Sequence, residues 1–398
     1  MSETLAMTIG LFTDGPAFDG TSLAHRALGG SETALIQAAR ALAERGHRVT
    51  VFNNCARPTR QDGVLYLPWR SYARLDRRTF FDVFIVSRFF GFFKVPIRAG
   101  LRVLWNHDTL ERPDDLRQVL GRIDLVFCLS RFHRDQYLSL VPELQGRVLI
   151  TRNGVDLGLI DRAAGKAKKD PNKVLYASRP ERGLKVLLED IWPRLSADRP
   201  GLTLSLCGYS LPNQAEPAAL AELYRYLNHL AQKTPGVVQL GALTKDAYYA
   251  HLAEAALMAY PCTFPEISCI AALEAQACRT PMATTDAFAL TETVQIEAYK
   301  VNGRPGSETY NRRFIERARY LLDHPGQAAA WAEQARAAVE KAYAWPDIAA
   351  EWERVFDLTL RSRRRLEPRP GPMALSGPQP EPVRPSETGG NGPSHGRP

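Results

Sequence analysis

Strand-like apolar runs and amphipathic helical runs alternate along most of the 398-residue chain, and this alternation limits the folds that it can adopt. The pattern predicts parallel sheets flanked by helices, because parallel strands need long crossover connections that helices usually supply. The strand-like runs of the first half are MTIGLFTD, HRVTVFN, DVFIVSR, LRVLWNHD, IDLVFCLS and RVLITRN. Those of the second half are KVLYASR, LTLSLCGY, VVQLGAL, ALMAYPC and PMATTDA. The sequence therefore predicts an α/β protein with two doubly wound domains.

The chain is too long for one ordinary hydrophobic core, so a division into two domains is expected. Charged residues and a proline interrupt the alternation and predict a linker at 159–173. On either side of it we predict Rossmann-like domains at 1–158 and 174–343, and a last amphipathic helix at 344–362. Residues 363–398 are rich in proline and glycine with almost no aliphatic residues, which predicts a disordered tail.

Composition and cysteine usage indicate an ordinary intracellular protein. The apolar fraction of 45% and the charged fraction of 24% are typical of soluble globular proteins. No stretch approaches the roughly 18 uncharged apolar residues that span a bilayer, and the first residues, MSETLAMTIGLF, lack the basic region of a secretory signal. The six cysteines include no CxxC pair, so reduced thiols and a cytoplasmic location are expected. A zinc site from Cys262, Cys269 and Cys278 would match no common ligand spacing.

Residues 57–102 form the most basic segment, with ten basic and three acidic residues. The segment also contains the phenylalanine-rich stretch FFDVFIVSRFFGFFKVPIR. Two interpretations are open: a buried strand followed by solvated arginines, or a face that contacts an anionic membrane or a polyanionic substrate. The second would place the protein at the inner face of the membrane. Nucleic acid is not an expected partner, because the chain has no recognised nucleic-acid module.

Several polar residues follow predicted strands, where ligands bind in open α/β sheets. Gly29 and Gly30 directly precede a helix, whose free N–H groups and dipole favour an anion, although a plain turn explains them too. In the run SRPERG, Arg179 and Arg182 are three positions apart and suit bidentate contact with phosphate. The alternative interpretation is that both are surface charges. His107 ends another strand, where a histidine contacts ligand, moves protons or packs as a capping or core residue.

The stretch FPEISCIAALEAQACRTP places Glu266 and Glu274 eight positions apart among apolar and small residues. Glu266 follows a predicted strand, and Glu274 lies two turns into the next helix, for which Ser268 is the expected N-cap. Eight residues at about 100° each leave the two about 80° apart around the helix axis. Carboxylates only accept hydrogen bonds, so a ligand rich in hydroxyl groups suits them better than a metal ion. In isolation, a capping glutamate and a helix-surface glutamate are the simpler explanation.

The order GGSE, NHD, RNGVD, SRPERG and PEISCIAALEAQ resembles the retaining glycosyltransferases of the GT-B fold, in particular family 4. The resemblance covers about residues 7–360, and its strongest element is the Glu-x7-Glu motif with its LEAQACRTP continuation. It implies two domains that face a cleft, with the acceptor on the first and a nucleotide-sugar donor on the second. The helix WPDIAAEWERVF also fits, since in that fold the last helix typically returns to the first domain.

The resemblance implies a role for each candidate residue. Glu274 would hold the ribose hydroxyls of the donor, and Glu266 would bind hydroxyls of the transferred sugar. Arg179 and Arg182 would hold the diphosphate and stabilise it as it leaves, and His107 would lie beside the reacting sugar. The other implied donor-binding positions are Gly29, Gly30, Asn153, Gly208, Ile267, Ser268, Cys269 and Ile270. No metal and no cofactor are expected, and retention would come from same-face attack without a covalent intermediate.

The chain departs from the family pattern at three places. Ile267-Ser268-Cys269 stands where many relatives have Gly-Phe-Gly, Arg182 stands where lysine is usual, and the loop LCGYSLPN keeps Gly208 but lacks a second glycine. None of these changes removes a charged group that the chemistry requires. The sequence therefore predicts a retaining, metal-independent glycosyltransferase that uses a nucleotide diphosphate sugar and an acceptor of unknown identity. The alternative is a catalytically silent protein of the same fold that binds a sugar nucleotide or glycan as an adaptor.

Overall fold

The computed structural model describes four stretches of the chain, which are residues 6–76, 78–165, 167–207 and 217–366. Within them the chain forms two α/β domains, each built on its own sheet. The prediction of two doubly wound domains is confirmed. Gly208 and the part of the predicted tail from residue 367 onward lie outside the described residues.

The first domain contains eight strands, which are β1 (Thr8–Phe12), β2 (Arg48–Asn53), β3 (Thr59–Gln61), β4 (Val64–Pro68), β5 (Phe81–Ser87), β6 (Ala99–Trp105), β7 (Leu125–Cys128) and β8 (Val148–Ile150). Its α-helices are α1 (Ser22–His25), α2 (Gly30–Glu44), α3 (Pro113–Arg117) and α4 (Arg131–Leu140). Short 3₁₀ turns lie at Trp69–Arg74, Phe90–Lys94, Leu120–Arg122 and Pro142–Leu144. The strand order is β3-β4-β2-β1-β5-β6-β7-β8, and every neighbouring pair is parallel except β3 and β4.

The antiparallel hairpin of β3 and β4 is missing from the strands predicted above. Its two-residue turn is Asp62-Gly63, and both residues have positive φ angles, of 49° and 77°. Positive φ at both positions defines the turn that matches the twist of a hairpin, and Asp-Gly is a preferred sequence for it. The Asp-Gly pair was therefore a sequence signal for this hairpin. The hairpin was missed because its strands are too short to show a clear alternation of apolar and polar residues.

In its described residues the second domain contains six strands, which are β9 (Asp170–Tyr176), β10 (Thr203–Cys207), β11 (Val237–Gly241), β12 (Ala255–Tyr260), β13 (Met282–Thr285) and β14 (Lys300–Val301). The helices of this half are α5 (Leu157–Ala164), α6 (Leu184–Val186), α7 (Trp192–Ser196), α8 (Ala218–Lys233), α9 (Lys245–Glu254), α10 (Ile270–Ala277), α11 (Leu290–Thr293), α12 (Glu308–Asp323), α13 (Pro325–Tyr343) and α14 (Trp345–Leu366). A π-helical segment lies at Leu187–Ile191, and 3₁₀ turns lie at Pro180–Arg182 and Glu297–Tyr299. The sheet is parallel, in the order β11-β10-β9-β12-β13-β14.

The two sheets share one topological feature that fixes where ligands bind. In the first sheet the chain order reverses between β1 and β5, and in the second it reverses between β9 and β12. At such a reversal the connections leave in opposite directions, and the strand ends open a crevice between them. The loops after these four strands are therefore the expected walls of a ligand site.

Regular secondary structure covers most of the segment predicted as a linker at 159–173. Helix α5 occupies the start of this segment, with the Asp156 side chain accepting a hydrogen bond from the Leu159 N–H at 2.9 Å. Ile160 of this helix is fully buried in the core of the second domain. Strand β9 then begins at Asp170. The charged residues of the segment concealed an amphipathic helix, because Ile160 is its only buried residue and one buried apolar position gives a weak pattern.

Helix α14 returns to the first domain, as the resemblance implied. Trp345, Trp352 and Phe356 lie on one helix face and are buried in the core of the first domain. The Trp345 indole donates a hydrogen bond to Gln37 at 2.7 Å, and the Trp352 indole donates one to Thr151 at 2.6 Å. Burial of three large aromatic side chains ties the end of the chain to the first sheet.

The phenylalanine-rich stretch supplies the core on the other face of the first sheet. Phe81, Phe84, Phe92 and Phe93 are buried there, whereas Phe80 is 59% exposed. Most phenylalanines of this segment are therefore buried, as the first interpretation, a buried strand followed by solvated arginines, predicts. None of the described helices is long and apolar enough to cross a bilayer. Contact of residues 57–102 with an anionic membrane surface stays a prediction.

Candidate active site

Arg179 and Arg182 follow β9 in a tight turn that a glycine makes possible. Gly183 has a φ of +134°, and a Cβ there would lie 2.2 Å from the carbonyl oxygen of Pro261. Both the φ angle and this close approach exclude a side chain. The Thr263 N–H donates to the Arg182 carbonyl oxygen at 3.1 Å. The loops after β9 and β12 are therefore held side by side.

Glu266 lies in the loop after β12 and contacts Arg182 directly. Its side chain is only 5% exposed, and its Oε1 lies 3.0 Å from Nη1 of Arg182. The Tyr260 hydroxyl donates to the same oxygen at 2.6 Å. Arg182 also stacks over the Phe264 ring at 4.0 Å. Burial alone would lower the pKa of Arg182, but the Glu266 carboxylate outweighs it and raises that pKa, so the guanidinium stays charged.

Arg179 is held differently, although it belongs to the same turn. Its Nε lies 2.6 Å from Oε1 of Glu181, and the Tyr224 hydroxyl donates to the other oxygen of that carboxylate at 2.8 Å. About a third of the Arg179 side chain is exposed, at 34%. The structure thus brings Arg182 and Glu266 into contact and places Arg179 beside them with its own carboxylate partner.

Glu274 is buried inside α10, with a side chain that is 4% exposed. Its Oε1 accepts a hydrogen bond from the Tyr249 hydroxyl at 2.8 Å and pairs with the Lys245 ammonium. Neither Lys245 nor Tyr249 is among the residues predicted from sequence. A surface glutamate and a capping glutamate are therefore the wrong explanation of the Glu-x7-Glu motif, because both carboxylates are buried and paired.

The start of α10 faces the start of α2 across the two domains. Gly30 is the first residue of α2, and Ile270 is the first residue of α10. The two residues are close together, because a Cβ on Gly30 would lie 3.2 Å from Cδ1 of Ile270. Ile267 is buried against the first domain, and Cys269, not the predicted Ser268, occupies the N-cap position of α10. Two helix N-termini that meet in this way both favour an anion between them.

His107 follows β6 and is the first-domain residue predicted to lie near the reacting sugar. Its Nε2 lies 3.2 Å from Oδ1 of Asn153, its Nδ1 lies 3.4 Å from the Ser87 hydroxyl, and its ring packs on Trp105. Burial and the positive charge of Arg88 lower the pKa of His107 to about 3, so the imidazole is neutral near pH 7. Asn153 is thus a hydrogen-bond partner of His107 in the first domain.

Arg88 is a site residue that the sequence analysis counted only as part of the basic segment. It follows β5 with a φ of 66°, a left-handed conformation that is strained for arginine. Its Nε and Nη2 donate to the Asp108 carboxylate at 2.8 and 3.0 Å, and its Nη1 donates to the Ser31 hydroxyl at 3.3 Å. Its Nη1 also lies 3.6 Å from the buried carboxylate of Glu32, which folds back against Gly29. The position of Arg88 directly after a strand was the signal that could have identified it.

No metal centre is formed by the described residues, since no three His, Cys, Asp or Glu side chains are grouped so as to hold an ion. All six cysteines lie in the described stretches and are unpaired thiols, five of them buried and Cys207 half-buried. Burial raises the pKa of Cys207, Cys262 and Cys278 to about 12, so these thiols are not ionised near pH 7.

Two doubly wound domains with polar residues at the strand ends of both define the architecture of the GT-B glycosyltransferases. Solved structures of this architecture match the chain over most of its length. Sucrose-phosphate synthase from Thermosynechococcus elongatus matches with a TM-score of 0.71 at 16% identity, covering 89% of this chain and 100% of that one. Anabaena HepE, solved with UDP-glucose, matches with a TM-score of 0.63 at 17% identity, covering 89% and 100%.

Residues 171–335 match the family model described as Glycosyl transferases group 1. Glycogen synthase of Mycobacterium tuberculosis (strain CDC 1551 / Oshkosh) is 27% identical over 302 residues, which cover 73% of this chain and 67% of that protein. The match over residues 171–335, together with the similarity to glycogen synthase, indicates that the chain is a glycosyltransferase.

Proposed function

We propose that this glycosyltransferase transfers a sugar from a nucleotide diphosphate sugar with retention of configuration and without a metal ion. The observation that carries the proposal is the contact between Arg182 and Glu266 at the reversal point of the second sheet. A cation for the diphosphate and an acceptor for sugar hydroxyls are adjacent there, as a donor that contains both groups requires. Glu274 supplies a second buried acceptor, which we assign to the ribose.

The diphosphate is bound in this proposal by Arg179, Arg182 and the helix N-termini that meet at Gly30 and Ile270. These groups are oriented by the fold before the substrate arrives, so they stabilise the negative charge that develops as the diphosphate leaves. Arginine contacts two phosphate oxygens at once and stays ionised, which suits it to replace a metal ion in this role. The neutral imidazole of His107 contributes hydrogen bonds but no charge on the opposite wall.

The names of similar proteins are consistent with such a donor. One of them was solved with UDP-glucose, another is a sucrose-phosphate synthase, and a third is a glycogen synthase. Retention follows in our proposal from attack on the same face as the departing diphosphate.

Thermal unfolding with candidate donors tests the proposal. Because a ligand that binds only the folded state raises its stability, one of UDP, ADP or GDP should raise the unfolding temperature, and its sugar conjugate should do so further. Transfer from that conjugate should persist in excess EDTA and yield a product with the anomeric configuration of the donor. Failure of all three nucleotides to stabilise the protein would overturn the donor class. Loss of turnover on chelation, restored by magnesium, would overturn the metal-free mechanism.

A further inference from the structure

Lys245 and Tyr249 are the first and fifth residues of α9, and both contact the Glu274 carboxylate. Side chains four residues apart lie on the same helix face, so α9 presents an ammonium and a hydroxyl together. We propose that Lys245 and Tyr249 are positioning residues for the donor ribose, which hold Oε1 of Glu274 so that its Oε2 meets the ribose hydroxyls. This proposal rests on the proposed function, in which Glu274 binds the ribose.

The first support comes from the geometry of the carboxylate. The hydrogen bonds that Lys245 and Tyr249 donate to the Glu274 carboxylate both fall on the same oxygen, Oε1. The last side-chain torsion of glutamate is otherwise broad, so an unrestrained carboxylate would present either oxygen over a wide range of angles. Two donors on Oε1 remove that freedom. Fixing Oε1 also fixes the direction in which Oε2 accepts hydrogen bonds.

The second support comes from burial and charge. The Lys245 side chain is 13% exposed and the Glu274 side chain 4%, so bulk water replaces neither partner well. Burial, together with the Glu274 charge, raises the pKa of Tyr249 well above its ordinary value, so its hydroxyl stays protonated and donates. The group built in this way is an oriented acceptor without a donor of its own. Such a group binds hydroxyls and discriminates against ligands that lack them.

A purely structural role, in which the three side chains only join α9 to α10, makes a different prediction. Loss of a structural contact would weaken binding of all nucleotides equally, or lower stability without changing selectivity. Loss of a positioning contact would specifically reduce the preference for ribose over deoxyribose. The ratio of the two affinities is therefore the readout that separates the two roles.

Calorimetric titration of the full chain measures this ratio. The probes are UDP, ADP and GDP, and whichever binds most tightly is compared with its 2′-deoxy and 3′-deoxy forms. For one hydrogen bond to a charged group, the native enzyme should prefer the ribonucleotide by about tenfold or more over the weaker deoxy form. Tyr249→Phe and Lys245→Gln should each weaken ribonucleotide binding about three- to tenfold and change deoxynucleotide binding less than about twofold.

Matched variants make each outcome decisive. Tyr248→Phe removes a hydroxyl from the neighbouring ring, whose face lies 5.3 Å from the Lys245 ammonium, and should leave the ratio unchanged. Glu274→Gln should abolish the preference.

A native ratio that survives both Tyr249→Phe and Lys245→Gln but not Glu274→Gln would overturn the positioning role and leave the ribose contact standing. If the native enzyme has no preference, the ribose assignment itself is wrong and the positioning role falls with it. Should Lys245→Gln fail to fold, Tyr249→Phe alone decides.

Discussion

Two buried glutamates of the second domain are held by the same kinds of groups in two different ways. The Glu266 cluster consists of Arg182, Tyr260 and Glu266, and the Glu274 cluster consists of Lys245, Tyr249 and Glu274. In each cluster one carboxylate oxygen accepts a tyrosine hydroxyl and pairs with a cation. The shared pattern solves one problem, which is how to bury a carboxylate without leaving its charge unpaired.

The clusters differ in the elements that carry them. Arg182 and Glu266 lie in loops after β9 and β12, and Tyr260 is the last residue of β12. All three members of the Glu274 cluster lie on the helices α9 and α10. The cation also differs, because arginine has further N–H groups to offer a phosphate while it contacts Glu266, whereas lysine is a single point charge. In our proposal, the Glu266 cluster takes part in bond breaking and the Glu274 cluster binds the nucleotide.

The largest expected effect concerns the cations of the turn after β9. Replacing both Arg179 and Arg182 with alanine should reduce turnover by at least about a thousandfold, because removing one preorganised donor to a developing charge already costs about 10²–10³. Binding of the nucleoside without phosphates should change little. Rate assays and titrations with purified protein provide the measurement. Near-normal turnover in the double variant would mean that the diphosphate is held elsewhere.

The next effect separates the two glutamates. Glu266→Ala should lower turnover at least about a hundredfold, or roughly 2.7 kcal/mol of barrier, while nucleoside diphosphate affinity stays within about threefold. Glu274→Gln should weaken nucleoside diphosphate binding first, because an acceptor for the ribose becomes partly a donor. Paired calorimetry and rate assays on the two variants compare them directly. The same response in both would show that the clusters do not divide the donor between them.

A smaller effect is expected when the tyrosine of the Glu266 cluster is changed. Tyr260→Phe removes one hydrogen bond to a charged carboxylate, so turnover should fall about tenfold with nucleotide affinity unchanged. Tyr299→Phe is the matched control, because the Tyr299 hydroxyl is buried without a hydrogen-bond partner among the described residues. Steady-state kinetics on both variants give the result. A loss of nucleotide affinity in Tyr260→Phe would contradict the division of roles.

The smallest effect concerns the pH dependence of turnover, in which His107, unlike the two charged clusters, should take no part as a charged group. The pKa of His107 is lowered to about 3, so its imidazole is uncharged above that value and becomes charged only as the pH falls through it. Between pH 5 and 9 the turnover number should therefore show no ionisation of His107. The pH profile of His107→Asn should have the same shape as that of the native enzyme, at a lower rate. A limb near the ordinary histidine pKa of about 6.5 that disappears in the variant would contradict this neutral state.

Much of the fold could be read from local patterns, because each strand and its following helix are encoded by nearby residues. The eleven predicted strand runs all correspond to observed strands, whereas the return of α14 to the first domain was implied only by the family resemblance. The hairpin of β3 and β4, the two-residue strand β14 and helix α5 were missed. They are short, or carry few apolar residues, and their formation depends on the sheet or core against which they pack.

The sequence by itself determined that Glu266, Glu274 and the two arginines stand at strand ends or on the helix that follows one. That placement needs only the order of strands and helices, since parallel strands all end on the same edge of a sheet. Only the tertiary structure decided which charges meet. Lys245 reaches Glu274 across 29 residues of chain, and Arg88 reaches Asp108 across 20. Such pairs depend on side-chain directions after packing, which local propensity does not specify, because neighbouring helices and loops fix them only once the cores have formed.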